Sequence, residues 1–263
     1  MDTTTPASGT TIAVAVKHVP VGGAFLRVQS GGLTRDGVSH GIDPLNEVAV
    51  EWALQAREAG AADRVVAISL GPPAAVDALR RALAMGADEA VLVTDPTFAG
   101  ADVRATARAL AAATERSGAR LLVAGYESLD GSSGAVPAAV AASLGWPLVS
   151  RFSAGAIHGG ALRATRDLGA GPTTIEVDLP AVVSIVEGHV TPRFPKLKDV
   201  VRTRSVQPTT YSGADLGLSL PTSGERVVDL VEVAQPPREP TILDLEAGIE
   251  ELFARLTQGA SRG

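Results

Sequence analysis

One segment of the chain carries the residue types best suited to holding an anion. Residues 125–134 read Gly-Tyr-Glu-Ser-Leu-Asp-Gly-Ser-Ser-Gly, directly after an apolar run and before a helical pattern. Small residues let backbone N–H groups approach an anion, hydroxyl groups add donors, and the start of a helix favours negative charge. The segment is therefore chemically suited to a nucleotide phosphate. A structural turn, with Asp130 as an ordinary turn residue, is the alternative.

Motifs for catalysis and for metal binding are missing from the sequence. There is no G-x-x-x-x-G-K-[ST] loop, no G-x-S-x-G elbow and no H-E-x-x-H pair, and no G-x-G-x-x-G follows the first apolar run. The four histidines lie far apart, without the spacing of metal ligands. His18 alone follows a predicted strand end where a ligand could bind, with a structural role as the alternative. We therefore predict no catalytic residue and no metal site.

Apolar runs that alternate with helical patterns must position the anion-binding segment. We predict strands at 12–16, 65–69, 90–93 and 121–124, and helices at about 44–59, 74–85, 101–117 and 134–144. Short strands that are apolar throughout, joined by helices, predict parallel βαβ units and a doubly wound, mostly parallel α/β sheet. Ligands of such sheets lie at the carboxyl ends of the strands, so the loops after Val16, Leu70 and Ala124 are the places to expect a site.

The first predicted helix begins at Asp43 and Pro44. Aspartate is a favoured N-cap, and proline fits the first helical position because its missing N–H costs nothing there. Asp43 is therefore interpreted first as a helix cap.

The pattern changes after Trp146. Residues 148–188 read as β-rich segments with glycine turns, and residues 203–240 contain five prolines and little periodicity, which is typical of an extended arm. The final amphipathic helix is predicted to begin with Thr241 and Asp244 in a capping box. The predicted organisation is a disordered tail (1–11), a nucleotide-binding α/β domain (12–202) and a C-terminal arm with a helix (203–263).

Composition narrows the classes of function. The chain has 263 residues, no cysteine, 3% aromatic residues and a net charge of −6. The lack of cysteine excludes disulfides, thiolate metal sites and thiol catalysis. The acidic balance and the few aromatic residues argue against nucleic-acid binding. No apolar stretch is long enough to insert into a membrane, and no targeting segment is evident, so we expect a cytoplasmic protein.

Several collinear segments resemble the β subunit of electron-transfer flavoprotein. Residues 14–17 (Val-Ala-Val-Lys) match its first strand, and residues 41–51 resemble its Asn-Pro-Phe-x-Glu-Ile-Ala-Val-Glu segment. Residues 79–88 (Leu-Arg-Arg-Ala-Leu-Ala-Met-Gly-Ala-Asp) are close to a run of the family. The nucleotide loop of the family falls at residues 125–147, and its signature falls at residues 165–167 and 179–183. Its partner-recognition loop begins at residues 192–194. A candidate subgroup is the one associated with mycofactocin-dependent dehydrogenases.

The resemblance implies a fold, a cofactor set and partners. Family members have an adenine-nucleotide α-hydrolase-like fold and pair with an α subunit that holds most of one redox-active FAD. The β subunit binds AMP, or a second FAD in electron-bifurcating members. The dimer accepts electrons from flavin-type dehydrogenases and has no catalytic residues of its own. The C-terminal arm and helix are then expected to pack on the α subunit.

The resemblance also assigns site residues. The partner-recognition residues are Arg193, Phe194, Pro195, Lys196, Leu197 and Lys198, with Leu197 as the anchor leucine or, alternatively, as an ordinary packing residue. The pair at the interface with the flavin domain is Arg166 and Asp167. The nucleotide-binding residues are Ala15, Asp43, Pro44, Leu45, Asn46, Leu70, Gly125, Tyr126, Glu127, Ser128, Leu129, Asp130, Gly131, Ser132, Ser133, Gly134, Ala135 and Val136.

The chain departs from the family at several of these positions. AMP-binding members have Asn-Gln-Thr where residues 134–136 are Gly-Ala-Val, so side-chain donors to a phosphate are lost. Ser132 and Ser133 replace an aspartate and a threonine of bifurcating members. Asp43 replaces an asparagine, and Gly22 replaces a tyrosine near the flavin. Two other hypotheses therefore stay open: a nucleotide-binding scaffold or sensor that has lost electron transfer, and an ATP-using enzyme of the same fold.

Overall fold

The structure, a computed structural model, describes residues 9–22, 27–29, 32–34, 38–188, 190–218, 223–225, 228–229 and 243–260. The α-helices are α1 (Pro44–Glu58), α2 (Val76–Met85), α3 (Val103–Arg116), α4 (Val136–Leu144), α5 (Leu197–Thr203) and α6 (Leu245–Ala260). The strands are β1 (Thr11–Ala15), β2 (His18–Pro20), β3 (Arg27–Gln29), β4 (Gly32–Thr34), β5 (His40–Ile42), β6 (Arg64–Leu70), β7 (Glu89–Val93), β8 (Leu121–Gly125), β9 (Leu148–His158), β10 (Ala161–Asp167), β11 (Pro172–Asp178), β12 (Ala181–Ile185) and β13 (Thr209–Tyr211).

Nine of these strands form one sheet in the order β11-β10-β9-β12-β8-β1-β6-β7-β13. In this spatial order, every pair of neighbouring strands between β9 and the edge strand β13 is parallel. At the other edge, β10 and β11 are two antiparallel strands. The central strands β8 and β12 are buried along their whole length, because helices cover both faces. The predicted doubly wound α/β fold is confirmed.

Two apolar layers enclose the sheet. Helices α1 and α2 pack on one face against Ile12 and Val14, and helices α3 and α4 pack on the other face against Ala13 and Ile68. Neighbouring residues of a strand point to opposite faces, which is why the alternating residues of β1 divide between the two layers. Among the described residues no helix is long and apolar enough to cross a membrane.

The carboxyl ends of the central strands lie in one row. Gly125 of β8 pairs in register with Ile185 of β12, Ile185 pairs with Phe152 of β9, and Phe152 pairs with Arg166 of β10. The segment after Gly125 and the end of β10 therefore lie along the same edge of the sheet.

Residues 1–228 and 229–263 form two separate units. In the first unit, β13 adds a parallel strand to β7, so a part of the predicted arm that begins at residue 203 joins the sheet. Main-chain pairing decides this, and the five prolines of the segment do not reveal it.

The second unit contains α6, whose predicted start is wrong. The helix begins at Leu245, and the Asp244 carboxylate accepts a hydrogen bond from the Ala247 N–H at 2.9 Å. Asp244 is thus the cap, not the fourth residue of a capping box, and Thr241 lies outside the described residues. The apolar side chains of α6 are exposed at Leu245, Ile249, Leu252, Phe253 and Leu256.

Candidate functional site

The start of α1 joins the loops that follow β1 and β8. Asp43 is buried, and its Oδ1 accepts a hydrogen bond from the Leu45 N–H at 3.0 Å, which confirms it as the N-cap. Its Oδ2 accepts from the Leu129 N–H at 2.8 Å. Burial raises the pKa of Asp43 because it disfavours the charged form, and the two backbone donors oppose that effect.

Asn46 holds Lys17, the second residue after β1. The Asn46 side-chain oxygen accepts a hydrogen bond from the Lys17 N–H at 2.7 Å, and the Lys17 carbonyl accepts one from the Asp43 N–H at 3.0 Å. Gly125 lies directly against this corner: a Cβ atom there would meet the Asn46 Nδ2 at 2.9 Å and the Leu45 Cβ at 3.0 Å. A glycine is therefore needed for β8 to end so close to α1.

Lys17 reaches across to the predicted nucleotide loop. Its Nζ donates to Asp130 Oδ1 at 2.6 Å and to Ser128 Oγ at 3.1 Å. The Asp130 side chain is only 2% exposed, so the ion pair is largely shielded from water on that side. Lys17 was not among the predicted site residues, although its position directly after the strand predicted at 12–16 was a usable signal.

Short-range bonds shape the rest of the loop. The Ser128 carbonyl accepts from both the N–H and the hydroxyl of Ser132, at 2.9 and 3.1 Å, and Ser132 adopts a left-handed backbone with φ of 43°. Ser133 Oγ accepts from the Ala135 N–H at 3.4 Å. No side chain caps α4, because Ala135 occupies its N-cap position. The exposed loop therefore leads into a helix start without a side-chain acceptor.

The remaining predicted nucleotide-binding residues lie at the same edge. Ala15 ends β1 in register with Ile68, and Leu70 ends β6 in register with Val93. Both are half-buried. Glu127 is exposed, as is Leu129 at 60%. The structure thus brings the ends of β1, β6 and β8 and the start of α1 to one edge.

Arg166 and Asp167 have different environments. Adjacent strand residues point to opposite faces, and Asp167 Oδ1 accepts the N–H groups of Gly169 and Gly171 at 2.7 and 3.2 Å, which closes the β10–β11 turn. The Arg166 Nε is buried without a hydrogen-bond partner. Arg151 connects this end to the predicted nucleotide loop, since its Nε donates to the Asp167 carbonyl at 3.0 Å and its guanidinium lies 5.1 Å from the Tyr126 ring.

Arg193 is turned towards α1. Its guanidinium donates to both oxygens of Glu51, at 2.7 and 3.0 Å, and to both oxygens of Glu58, at 2.6 and 3.1 Å. The Arg193 N–H also donates to Glu51 Oε2 at 3.1 Å. Glu51 is buried, and Gln55 donates to its other oxygen at 2.8 Å.

These bonds shift the ionisation of the three charged groups. Burial opposes the ionisation of Glu51, but the hydrogen bonds from Arg193 and Gln55 outweigh it and lower the pKa of Glu51. The bonds from Arg193 lower the pKa of Glu58, and the two carboxylates raise the pKa of Arg193. All three groups are thus held in their charged forms.

The other predicted recognition residues face outwards. Phe194 is 88% exposed and Leu197 is 79% exposed, and the side chains of Lys196 and Lys198 are also exposed. Pro195 is half-buried. Leu197 begins α5, which packs beside α2, and Arg80 of α2 donates to the Val206 carbonyl at 3.2 Å. Residues 193–198, the recognition segment, therefore present two large apolar side chains from a supported base.

His18 forms a ring pair with His40 across β2 and β5, with ring centroids 5.1 Å apart. Burial lowers the pKa of His18, and the neighbouring His40 lowers it further. His189 lies outside the described residues. No group of three or more histidine or acidic residues in the described part of the chain has the geometry of a metal site.

A groove of about 450 Å³ lies between α3 and α4. None of the predicted site residues lines it. Its lining residues are Val103, Arg104, Ala107, Ala139, Ala142, Ser143 and Glu225.

Comparisons with known proteins agree with the resemblance drawn from the motifs. Residues 31–215 match the family described as the electron transfer flavoprotein domain. The electron transfer flavoprotein subunit beta of Mycobacterium tuberculosis (strain ATCC 25618 / H37Rv) is 39% identical over 216 residues, covering 80% of this chain and 81% of the relative. The subunit of the same name from Syntrophomonas wolfei is 33% identical over 247 residues, 94% of each chain, and that of Mus musculus is 29% identical over 252 residues, 93% and 96%.

Proposed function

The chain belongs to the electron transfer flavoprotein β subunits, and we propose that it binds an adenine nucleotide, AMP or a second FAD, within a heterodimer that carries electrons from a flavin-type dehydrogenase to a downstream acceptor. The observation that carries this proposal is the loop of residues 125–135. It runs from the carboxyl end of β8 to the start of α4, which no side chain caps. In doubly wound sheets this is where phosphate groups bind.

The residues around Asp43 are compatible with a bound nucleotide phosphate. A carboxylate at position 43 would oppose a phosphate if it were free, but both Asp43 oxygens accept backbone N–H groups, from Leu45 and Leu129. Lys17 provides a cation beside the loop. The backbone donors at the start of α4 would bind the phosphate in place of the missing side-chain donors.

The redox chemistry in this proposal belongs to the FAD, which is held mainly by the α subunit. The β subunit's own residues bind the nucleotide, pack on the α subunit and contact the dehydrogenase. The exposed apolar side of α6 is suited to the α subunit, and the exposed Phe194 and Leu197 are suited to an apolar pocket on the dehydrogenase.

The first experiment counts nucleotides in the heterodimer purified with its own α subunit. The complex is denatured, and the released nucleotides are separated and identified by mass. One FAD and one AMP per heterodimer support a simple electron carrier, and two FAD support a bifurcating-type member. One FAD with no second nucleotide contradicts the proposed nucleotide site.

The second experiment tests docking through the recognition segment. Leu197→Ala is expected to raise the KM of the dehydrogenase reaction by roughly tenfold, because a truncated anchor residue loses its pocket contacts. Flavin content and heterodimer mass should not change, since Leu197 is 79% exposed. Loss of flavin from this variant contradicts the docking role.

A nucleotide-binding scaffold or sensor that has lost electron transfer is the second candidate. The small apolar side chains at Ala135 and Val136, which cannot donate to a phosphate, favour it. A flavin absorbance spectrum of the complex with the α subunit decides between the two: a bound FAD that a dehydrogenase reduces excludes the scaffold, and the absence of any flavin favours it.

A further inference from the structure

The Arg193 side chain is bonded within the chain, whereas the large apolar side chains of the recognition segment are exposed. The side chain of Phe194, one residue later, is 88% exposed, and that of Leu197 is 79% exposed. The Arg193 guanidinium instead forms four hydrogen bonds of 2.6–3.1 Å with Glu51 and Glu58 of α1. All three nitrogens of the Arg193 guanidinium therefore donate to carboxylates of the same chain.

The two carboxylates are suitably placed for one guanidinium. Glu51 and Glu58 are seven residues apart on α1, which is about two helical turns, so both lie on the same face of the helix. Each accepts two bonds, and the Arg193 N–H adds a fifth from the backbone. Bidentate bonds of this kind fix the orientation of the arginine as well as its position.

The contact joins distant parts of the chain to a firmly held helix. Arg193 lies 142 residues from Glu51 in sequence. Helix α1 packs against the sheet with Val50, Ala53 and Leu54 fully buried. A segment bonded to this helix through side chain and backbone therefore has a rigid base, although its apolar tips are exposed.

Resting on the docking role proposed above, we propose that Arg193 is a positioning residue: it fixes the recognition segment to α1 so that Phe194 and Leu197 face the dehydrogenase, and it does not itself contact that partner. The segment is thereby held in one conformation before the partner arrives. Pre-ordering of a binding segment reduces the entropy lost on association. The contact of Arg193 with Glu51 and Glu58, the Arg193 clamp, therefore acts on the affinity for the dehydrogenase.

A single substitution of Arg193 would not separate positioning from folding. Arg193→Gln leaves the buried Glu51 carboxylate without its cation, and such a group destabilises the fold. The double variant Arg193→Gln/Glu51→Gln removes the cation and the buried carboxylate together. It should recover most of the thermal stability lost in the single variant and yet leave the segment without its ionic anchor.

The control is Arg64→Gln. Arg64 begins β6 at the opposite, amino end of the strands, and its Nη1 forms a 2.7 Å ion pair with Glu89. Like the substitution of Arg193, this substitution removes a guanidinium and a long-range ion pair. It does so at the opposite end of the strands, away from the recognition segment.

The experiment uses the heterodimer with FAD bound. The electron donor is the member of a panel of purified flavin-dependent dehydrogenases that, with its own substrate, reduces the wild-type flavin fastest. Initial rates against heterodimer concentration give KM and kcat. Hydrogen exchange of the amides of residues 194–203, measured by mass spectrometry without the donor, reports the order of the segment independently.

The double variant is expected to raise KM by about tenfold with kcat and flavin content unchanged, and to speed exchange in residues 194–203. Arg64→Gln should keep the wild-type KM. A wild-type KM in the double variant, with Leu197→Ala raising KM, overturns the positioning role alone. If Leu197→Ala also keeps the wild-type KM, or if no donor in the panel reduces the flavin, the proposed docking function fails and the positioning role fails with it.

Discussion

The carboxylate of Asp43 accepts a hydrogen bond from the backbone N–H of Leu129, 86 residues later in the chain, at 2.8 Å. The other oxygen of the same carboxylate caps α1 through the Leu45 N–H. One side chain therefore both starts the helix and holds the loop of residues 125–135 against it. The shape of the proposed nucleotide site depends on this shared acceptor.

Asp43→Asn should loosen the loop, because the two backbone N–H groups bond to different carboxylate oxygens, and in asparagine one of these is replaced by an NH2 group that cannot accept. We expect a loss of about 1–2 kcal/mol in the free energy of unfolding and faster hydrogen exchange at the Leu129 amide. The matched control is Asp102→Asn, since Asp102 caps α3 and also accepts a distant N–H, that of Gly224 at 2.8 Å. Unchanged Leu129 exchange in Asp43→Asn would disprove the shared role.

Gly125→Ala should disturb the corner between β8 and α1. Its Cβ would lie 2.9 Å from the Asn46 Nδ2 and 3.0 Å from the Leu45 Cβ, so α1 or the loop must move. We expect a lower melting temperature and less bound nucleotide in the heterodimer. Gly224→Ala is the control, because its Cβ would meet Asp102 Oδ2 at an ordinary 3.6 Å. Equal behaviour of the two variants would count against the close-packing argument.

A negative charge placed at position 135 tests whether a phosphate binds at the start of α4. Ala135→Asp should reduce the nucleotide content of the purified heterodimer, because the carboxylate repels a phosphate and competes for the same N–H groups. Ala135→Asn has nearly the same size without the charge, and we expect it to keep the nucleotide. Both variants are assayed by counting the released nucleotides, and full nucleotide content in Ala135→Asp would place the phosphate elsewhere.

Acid should weaken the Arg193 clamp. The folded-state pKa values of Glu51 and Glu58 are below their ordinary value of 4.5, so their stabilising contribution is complete above that value and is lost as the pH falls through the lower folded-state values. Asp43 has the opposite sign: its pKa is raised above 3.8, so its contribution is complete below 3.8 and is lost as the pH rises through the raised value.

Urea unfolding of the heterodimer at a fixed concentration, at roughly pH 5.5, 4.5 and 3.5, measures this dependence. The wild type should lose stability across these steps, and Arg193→Gln/Glu51→Gln should lose less. An identical pH dependence in the two proteins would show that the clamp carboxylates are not responsible.

Amine labelling can report on the proposed nucleotide site and on the recognition segment at once, because the chain has only three lysines, Lys17, Lys196 and Lys198. Lys196 and Lys198 are exposed, whereas the Lys17 ammonium is bonded to Asp130 and Ser128. In the heterodimer we expect slower labelling of Lys17 than of the other two. A docked dehydrogenase should protect Lys196 and Lys198 and leave Lys17 unchanged, as measured by peptide mass spectrometry. Protection of Lys17 alone would contradict docking through residues 193–198.

Local interactions explain which parts of this molecule were predictable. The helix predicted at about 44–59 is observed as Pro44–Glu58, and Asp43 caps it, because capping, proline at the first position and the apolar stripe all act within a few residues. The strand predicted at 121–124 is β8, Leu121–Gly125, since a fully buried parallel strand needs an apolar run. These features depend on neighbours in the chain.

Local patterns of this kind do not predict contacts between residues that are far apart in the sequence. The Lys17–Asp130 ion pair joins residues 113 apart, and the Arg193–Glu51 pair joins residues 142 apart. The family resemblance assigned Arg193 to the recognition of a partner protein, and in the structure its guanidinium is bonded within the chain. One residue of a motif can serve either purpose, and only its three-dimensional neighbours distinguish them.

The sequence by itself thus determined the α/β class, the order of the central elements and the family, because periodicity, caps and motifs are written in consecutive residues. The tertiary structure alone decided that Asp43 and Lys17 hold the loop of residues 125–135, that residues 209–211 extend the sheet, and that Arg193 binds α1 while Phe194 and Leu197 are exposed. The physical reason is that burial and charge pairing depend on which surfaces the packed sheet and helices bring together, and many folded arrangements of side chains are compatible with one local pattern.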